Sequence, residues 1–343
     1  MLYYCTYLDS NYLARGLLLY RSLLIYSPKF TLFILCLNER AKLTLDKLKL
    51  RGVIVISLAD FEKGDTALLK AKQNRSLIEY YFSSTSSLLL YVLNMHPEVD
   101  LITYLDADMY FFSDIGPVFK EIAGHSIAIV EHRFSPNIRE RVKYGKYNVG
   151  WLSFRRDSNG LACLHWWRAR CLEWCYDRLE DGKFADQKYL DVWPERFLNL
   201  IVLHNKGLNV APWNLANYKF TYRDRKVWVD EQPLILFHFH GIKKVIGPIY
   251  DTGLDAYKVK LENTLREYVF KPYLTALASV HMDLSEVLGC ASLNSIRLIK
   301  EHSLPQRIWG KFQYIKYVIS KILVPVNCVN VRKTRTGCNS HRI

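Results

Sequence analysis

The stretch Leu101-Ile102-Thr103-Tyr104-Leu105-Asp106-Ala107-Asp108-Met109-Tyr110-Phe111-Phe112 decides how this chain is read. β-Branched and aromatic residues run to Leu105, yield abruptly to Asp-Ala-Asp, and apolar character resumes at Met109. That pattern predicts a buried strand with two carboxylates at its carboxyl end. Carboxylates two residues apart on extended backbone face one side, so both can reach one hard cation. The competing reading is a surface turn after a strand, where Asp is common. The flanking apolar residues favour a site, because burying paired acids without a partner is costly. In open α/β sheets, ligands bind at the carboxyl ends of strands.

Working outward, strands are predicted at Leu2–Leu8, Phe30–Leu37 and Val53–Leu58. Helices are predicted over the stripe Leu13 to Leu24, over Ala41–Leu50, and over Ser76–Leu93 around a break at Ser83–Ser87. The alternation β-α-β-α-β-α-β, with the acids after the fourth strand, implies an α/β fold: a Rossmann-like, mostly parallel sheet with flanking helices. Beyond it, strands are predicted at Ser126–Val130, Tyr147–Phe154, Ile201–Leu203, Leu208–Val210 and Leu234–Phe239, with a helix over Ala162–Arg178. The sheet-forming region ends near Gly253, which divides the chain into a catalytic domain, 1–253, and a helical, basic extension, 254–343.

Half of the 343 residues are hydrophobic, enough for a packed core, and this excludes a disordered chain. Eight Cys fall without a CxxC pair, so reduced thiols are expected, and Cys163, His165, Cys171 and Cys175 lack zinc-ligand spacing. No run reaches the ~18 apolar residues of a membrane span, and the N-terminus has no signal-peptide pattern. A cytoplasmic protein is expected, with peripheral membrane contact only. Of the net charge of +14, +9 falls after Ile296, where ten Lys or Arg face Glu301 alone. Aromatic and aliphatic residues from Trp309 to Val324 interleave with Lys311, Lys316 and Lys321. That pattern suits a helix lying on the anionic inner face of a membrane, or a packed helix followed by a basic tail.

Four further motifs carry a family resemblance. Asp9-x-Asn11-Tyr12 follows the first strand; Tyr147-Asn148-Val149-Gly150, Asp186-Gln187 and His238-x-x-Gly241-x-x-Lys244 follow Asp106-x-Asp108 in order. Each is weak alone, but together and in this order they resemble the GT-A glycosyltransferases, most closely the retaining glycosyltransferase family 8. The patterns FADQKYLDVWP, APWN and FHFHG resemble a bacterial subgroup. The resemblance spans Leu2 to Lys244. It implies that Asp9, Asn11 and Tyr12 meet the nucleoside and that Asp106, Asp108 and His238 bind a metal. It also places Asn148 and Gly150 against the sugar, Asp186 and Gln187 beneath the transferring carbon, and Gly241 and Lys244 against the diphosphate. Two departures stand out: Leu89 occupies the place of the family's basic residue ahead of the DxD, and no Pro-Trp follows Lys244. Arg75 is the candidate replacement.

Two carboxylates and an imidazole form an O,O,N set suited to Mn²⁺, with Mg²⁺ an alternative. His240 rivals His238, since both fall on one strand face, although the spacing to Gly241 and Lys244 favours His238. Either His could equally be packed at a strand end, and Asp186 could belong to a helix start. Trp151, Trp193, Trp213 and Trp228 are candidates for a sugar platform, though most Trp simply packs. The expected activity is transfer of a hexose from a UDP-sugar, with retention, to a glycan or lipid-linked acceptor in cell-surface polysaccharide or lipopolysaccharide synthesis. Two rivals are weaker. A sugar-phosphate nucleotidyltransferase needs a Gly-rich triphosphate loop after the first strand, where this chain has DSNYLARG. A nucleic-acid binder would use the basic tail, but no readout module is present and the acids would repel phosphate.

Overall fold

A computed structural model describes residues 1–27, 29–287 and 327–331. The first half alternates strand and helix: β1 (Leu2–Leu8), α1 (Leu13–Tyr26), β2 (Phe30–Cys36), α2 (Glu39–Leu48), β3 (Val53–Ser57), α3 (Leu58–Glu62), α4 (Thr66–Gln73), α5 (Leu77–Met95) and β4 (Leu101–Leu105). There follow β5 (Met109–Phe111), α6 (Gly116–Ile122), β6 (Ile127–Glu131), β7 (Tyr147–Arg155), α7 (Ser158–Glu173), α8 (Trp193–Arg196) and β8 (Leu200–Leu203). The main sheet has the order β3-β2-β1-β4-β7-β6-β8, with β7 antiparallel to both neighbours and the remaining pairs parallel. It is the mostly parallel sheet with flanking helices that the sequence predicts.

Pleating divides the core. On β2, Leu32 and Ile34 enter one apolar cluster while Phe33 and Leu35 enter the other, so both faces of the sheet are covered. The predicted break in α5 is absent. Ser83 and Ser84 lie buried in an unbroken helix because their hydroxyls donate to the carbonyls of Glu79 and Tyr80, both at 2.8 Å. Capping sets the start: Ser76 and Glu79 form a reciprocal capping box. The Trp-rich helix is shifted from its expected span, starting at an Asp157 cap and ending where Trp174 turns extended.

Beyond β8 the chain is more strand-rich than its sequence suggests. β9 (Phe220–Arg223), β10 (Lys226–Val229) and β11 (Gln232–Pro233) form a small sheet, and β12 (Leu236–His238) pairs antiparallel with β5. Leu208–Val210 forms no strand; Val210 makes a single bridge to Phe237. After β13 (Lys243–Ile246), β14 (Ile249–Asp251), α9 (Asn263–Leu265) and α10 (Lys271–Val287), the strand β15 (Cys328–Asn330) adds to β14, so the region past Gly253 is not purely helical. The stretch Trp309 to Val324 lies outside the described residues. Among those described, no helix is long and apolar enough to cross a membrane.

Candidate active site

The pairing of β5 with β12 builds the centre of the cleft. It sets His238 opposite Met109, and the Phe239 N–H donates to the Asp108 carbonyl at 2.9 Å. Nε2 of His238 consequently lies 3.1 Å from Asp108 Oδ1 and 3.6 Å from Asp106 Oδ2. Asp106-Ala107-Asp108 is a turn rather than extended strand, closed by the Met109 N–H on the Asp106 carbonyl at 3.1 Å. The turn still aims both acids at one imidazole. Burial opposes charge on Asp108, but the facing His238 outweighs it and holds that carboxyl well below the usual range. On Asp106 burial wins, with the Asp108 charge adding to it against the pull of His238, and the carboxyl is pushed up. Burial of His238 is in turn overcome by both carboxylates, and its imidazole is raised.

His240 also enters the cluster: ligand atoms of Asp108, His238 and His240 all lie within 4.8 Å of one another. His238 is buried and reaches both acids, whereas His240 lies beyond the end of β12 and is exposed. Oxygen and imidazole donors gathered around one point fit a divalent cation, and two acids, Asp108 buried and Asp106 half-buried, beside one imidazole leave negative charge for it to balance.

Asn148 and Gly150 line the same point. The Asp106 N–H donates to the Gly150 carbonyl at 3.2 Å, and a Cβ on Gly150 would meet Met109 Cε at 2.5 Å, Asn148 Oδ1 at 2.7 Å and Asp106 Oδ2 at 3.0 Å, so any larger residue would have to displace these side chains. The Asn148 amide is fixed at both ends: Oδ1 accepts from the Gly150 N–H at 3.1 Å, and Nδ2 faces His132 Nε2 at 3.1 Å. His132 Nδ1 in turn contacts the Lys146 carbonyl at 3.3 Å. Donating there and accepting from Asn148 requires neutral imidazole, in keeping with burial, which brings its pKa to about 3.

Asp186 is 5% exposed and follows Ala185, whose φ of 44° is strained for a non-glycine residue. Its carbonyl accepts from Trp167 Nε1 at 2.9 Å and its Oδ2 from the Thr85 hydroxyl at 3.1 Å. Burial, then the Asp106 charge, push its carboxyl up to about 7. Tyr104 donates its hydroxyl to Asp106 Oδ1 at 2.8 Å, and the Tyr7 ring packs against it with centroids 5.7 Å apart. Gln187 lies against Gly145 and donates Nε2 to the Tyr144 carbonyl at 3.0 Å.

Asp9 closes the turn before α1, its Oδ1 accepting from the N–H groups of Asn11 and Tyr12 at 2.8 and 3.1 Å and its Oδ2 from Asn11 Nδ2 at 2.9 Å. Tyr12 is exposed yet close enough to Asp108 for that charge, ahead of burial, to push the phenol up to about 12. Gly241 sits at φ +83°, and its carbonyl packs so tightly on Gly253 that a Cβ there would approach it to 2.8 Å. Lys244 lies three residues on from Gly241, in β13. Arg75 is placed elsewhere: its guanidinium stacks 3.9 Å from the Tyr176 ring and donates to the carbonyls of Leu172 and Glu173. Trp151 and Trp193 are fully buried, Trp213 packs edge-on against His132, His238 and His240, and Trp228 lies beneath the Arg223 guanidinium. Tyr7, Thr85 and His132 escaped the sequence reading, as isolated hydroxyls or imidazoles carry no spacing signal. Tyr104 was in view, two residues before Asp106, but read only as strand.

Sheet, crossovers and cleft together define a GT-A fold: the chain superposes on the galactosyltransferase LgtC, solved in complex with donor and acceptor sugar analogues, with a TM-score of 0.52 and 15% identity, over 81% of this chain and 95% of that one. No family model matches the sequence. It is 35% identical over 250 residues to the uncharacterized protein YfnF of Bacillus subtilis, spanning 71% of this chain and 82% of YfnF, and belongs to the same family. To YfnD of the same organism, also uncharacterized, it is 28% identical over 278 residues, spanning 80% and 88% of the two chains.

Proposed function

We propose that this protein is a metal-dependent glycosyltransferase that moves a hexose from a UDP-sugar, with retention, to a glycan or lipid-linked acceptor in cell-surface polysaccharide or lipopolysaccharide synthesis. The observation that carries the reading is the convergence of Asp106, Asp108 and His238 across the β5–β12 pair, at the carboxyl edge of a GT-A sheet. Mn²⁺, or Mg²⁺, would be held by these residues, with His240 adjacent, and would neutralise charge on the departing diphosphate. Asp9, Asn11 and Tyr12 would bind the nucleoside, and Gly241 and Lys244 the diphosphate. Asn148 presents an amide to the sugar hydroxyls while Gly150 leaves room for the ring. Asp186 and Gln187 would stabilise positive charge at the transferring carbon, and the leaving phosphate oxygen would take the acceptor proton. The basic residues past Ile296 would hold the enzyme to an anionic membrane surface carrying a lipid-linked acceptor.

Incubation with UDP-hexoses and Mn²⁺, read by UDP release and by the anomeric proton of the first product, tests the reading. Expected are metal-dependent release, an α-linked product, and a loss of at least about a hundredfold in Asp108→Asn, whose cooperative thermal melt shows that it still folds. Release by Asp108→Asn at the wild-type rate would remove the site assignment, and a β-linked product would remove retention.

A further inference from the structure

We infer that Arg15 binds the donor diphosphate and sets the enzyme's preference for diphosphate over monophosphate nucleotides, an inference that rests on the donor reading above. Arg15 lies one helical turn past Tyr12, on the same side of the chain, and its guanidinium sits 4.7 Å from the centroid of the Tyr12 ring. Its Nη2 donates to the carbonyl of Ile242 at 3.0 Å, between Gly241 and Lys244. One guanidinium therefore spans from the turn placed against the nucleoside to the loop placed against the phosphates. In a nucleotide sugar the diphosphate must pass between those two points.

The group is also electrostatically unspent. Arginine presents five N–H donors in a planar fork suited to phosphate, and one is engaged by Ile242. Among the described residues, no carboxylate lies within ion-pair distance of it. On the other side, the His281 imidazole on α10 is brought to about 4 by burial and then by the charges of Arg15 and Lys244. Neither position that could carry a basic residue ahead of the DxD supplies one: Leu89 is fully buried in the apolar core and Arg75 is committed to the end of α7.

The test uses the full chain with Mn²⁺ and isothermal titration of UDP and UMP into wild type, Arg15→Gln and Arg15→Lys. Gln keeps an N–H for the Ile242 carbonyl and removes the charge. Expected is a loss of about tenfold or more in UDP affinity for Arg15→Gln, with UMP affinity within about threefold of wild type, and partial recovery of UDP binding in Arg15→Lys. Equal weakening of UDP and UMP, or no weakening of either, overturns the inference and leaves the donor reading intact. If Arg15→Gln does not fold, Arg15→Lys decides, since losing the fork while keeping the charge should still weaken UDP more than UMP. Failure of wild type to bind UDP with Mn²⁺ would instead strike the donor reading, and this inference with it.

Discussion

Asp186 is held neutral more readily than an ordinary carboxyl, and the consequence reaches stability as well as chemistry. With its folded pKa raised to about 7, the unfolded chain ionises first as pH climbs from about 4, so the stability this group contributes is full at low pH and is lost progressively up to about pH 7. Asp186→Asn cannot ionise and escapes that loss. Thermal melts of metal-free protein should show the variant gaining on wild type between about pH 4 and pH 7; a constant difference across that range would contradict the raised carboxyl. At this scale the sequence was most informative where chemistry is concentrated in a motif. Asp106, Asp108 and His238 do meet at one point, whereas Arg75, the candidate for the basic residue ahead of the DxD, is committed by folding to helix carbonyls. His132 was invisible because its importance lies in one contact with Asn148, made by a residue sixteen positions away.

Elements were legible where their periodicity is undiluted. β1 begins and ends where its apolar run predicts, while α5 was wrongly interrupted because a cluster of serines reads as a break unless their hydroxyls are known to bond back to the preceding turn. Close packing between elements leaves even less trace. Gly160, in the first turn of α7, sits where a Cβ would come within 2.2 Å of the Arg155 carbonyl oxygen, which is backbone and cannot swing aside. Gly160→Ala should therefore push α7 off the end of β7 and destabilise the protein by about 1–3 kcal/mol or more. The midpoint of urea unfolding measures this, and an unchanged midpoint would mean that the helix has slack the packing does not suggest.

For the molecule as a whole, charge is the property that fold does not explain. The excess of Lys and Arg past Ile296 predicts recovery with anionic vesicles that falls as salt is raised. Since β15 pairs with β14, substitution is a cleaner test than truncation. In liposome flotation, replacing Lys311, Lys316 and Lys321 by Gln should reduce recovery several-fold, and equal, salt-insensitive recovery would end the tether. The pairing of β5 with β12 has a different kind of consequence. Asp108 and His238 are joined by a contact between distant parts of the chain, so on a nascent or unfolded polypeptide the proposed cation-binding set does not exist. A cation that recognises only the finished cleft would then lend its binding energy to the native state, and occupancy would report that the last apolar strand of the cleft has docked.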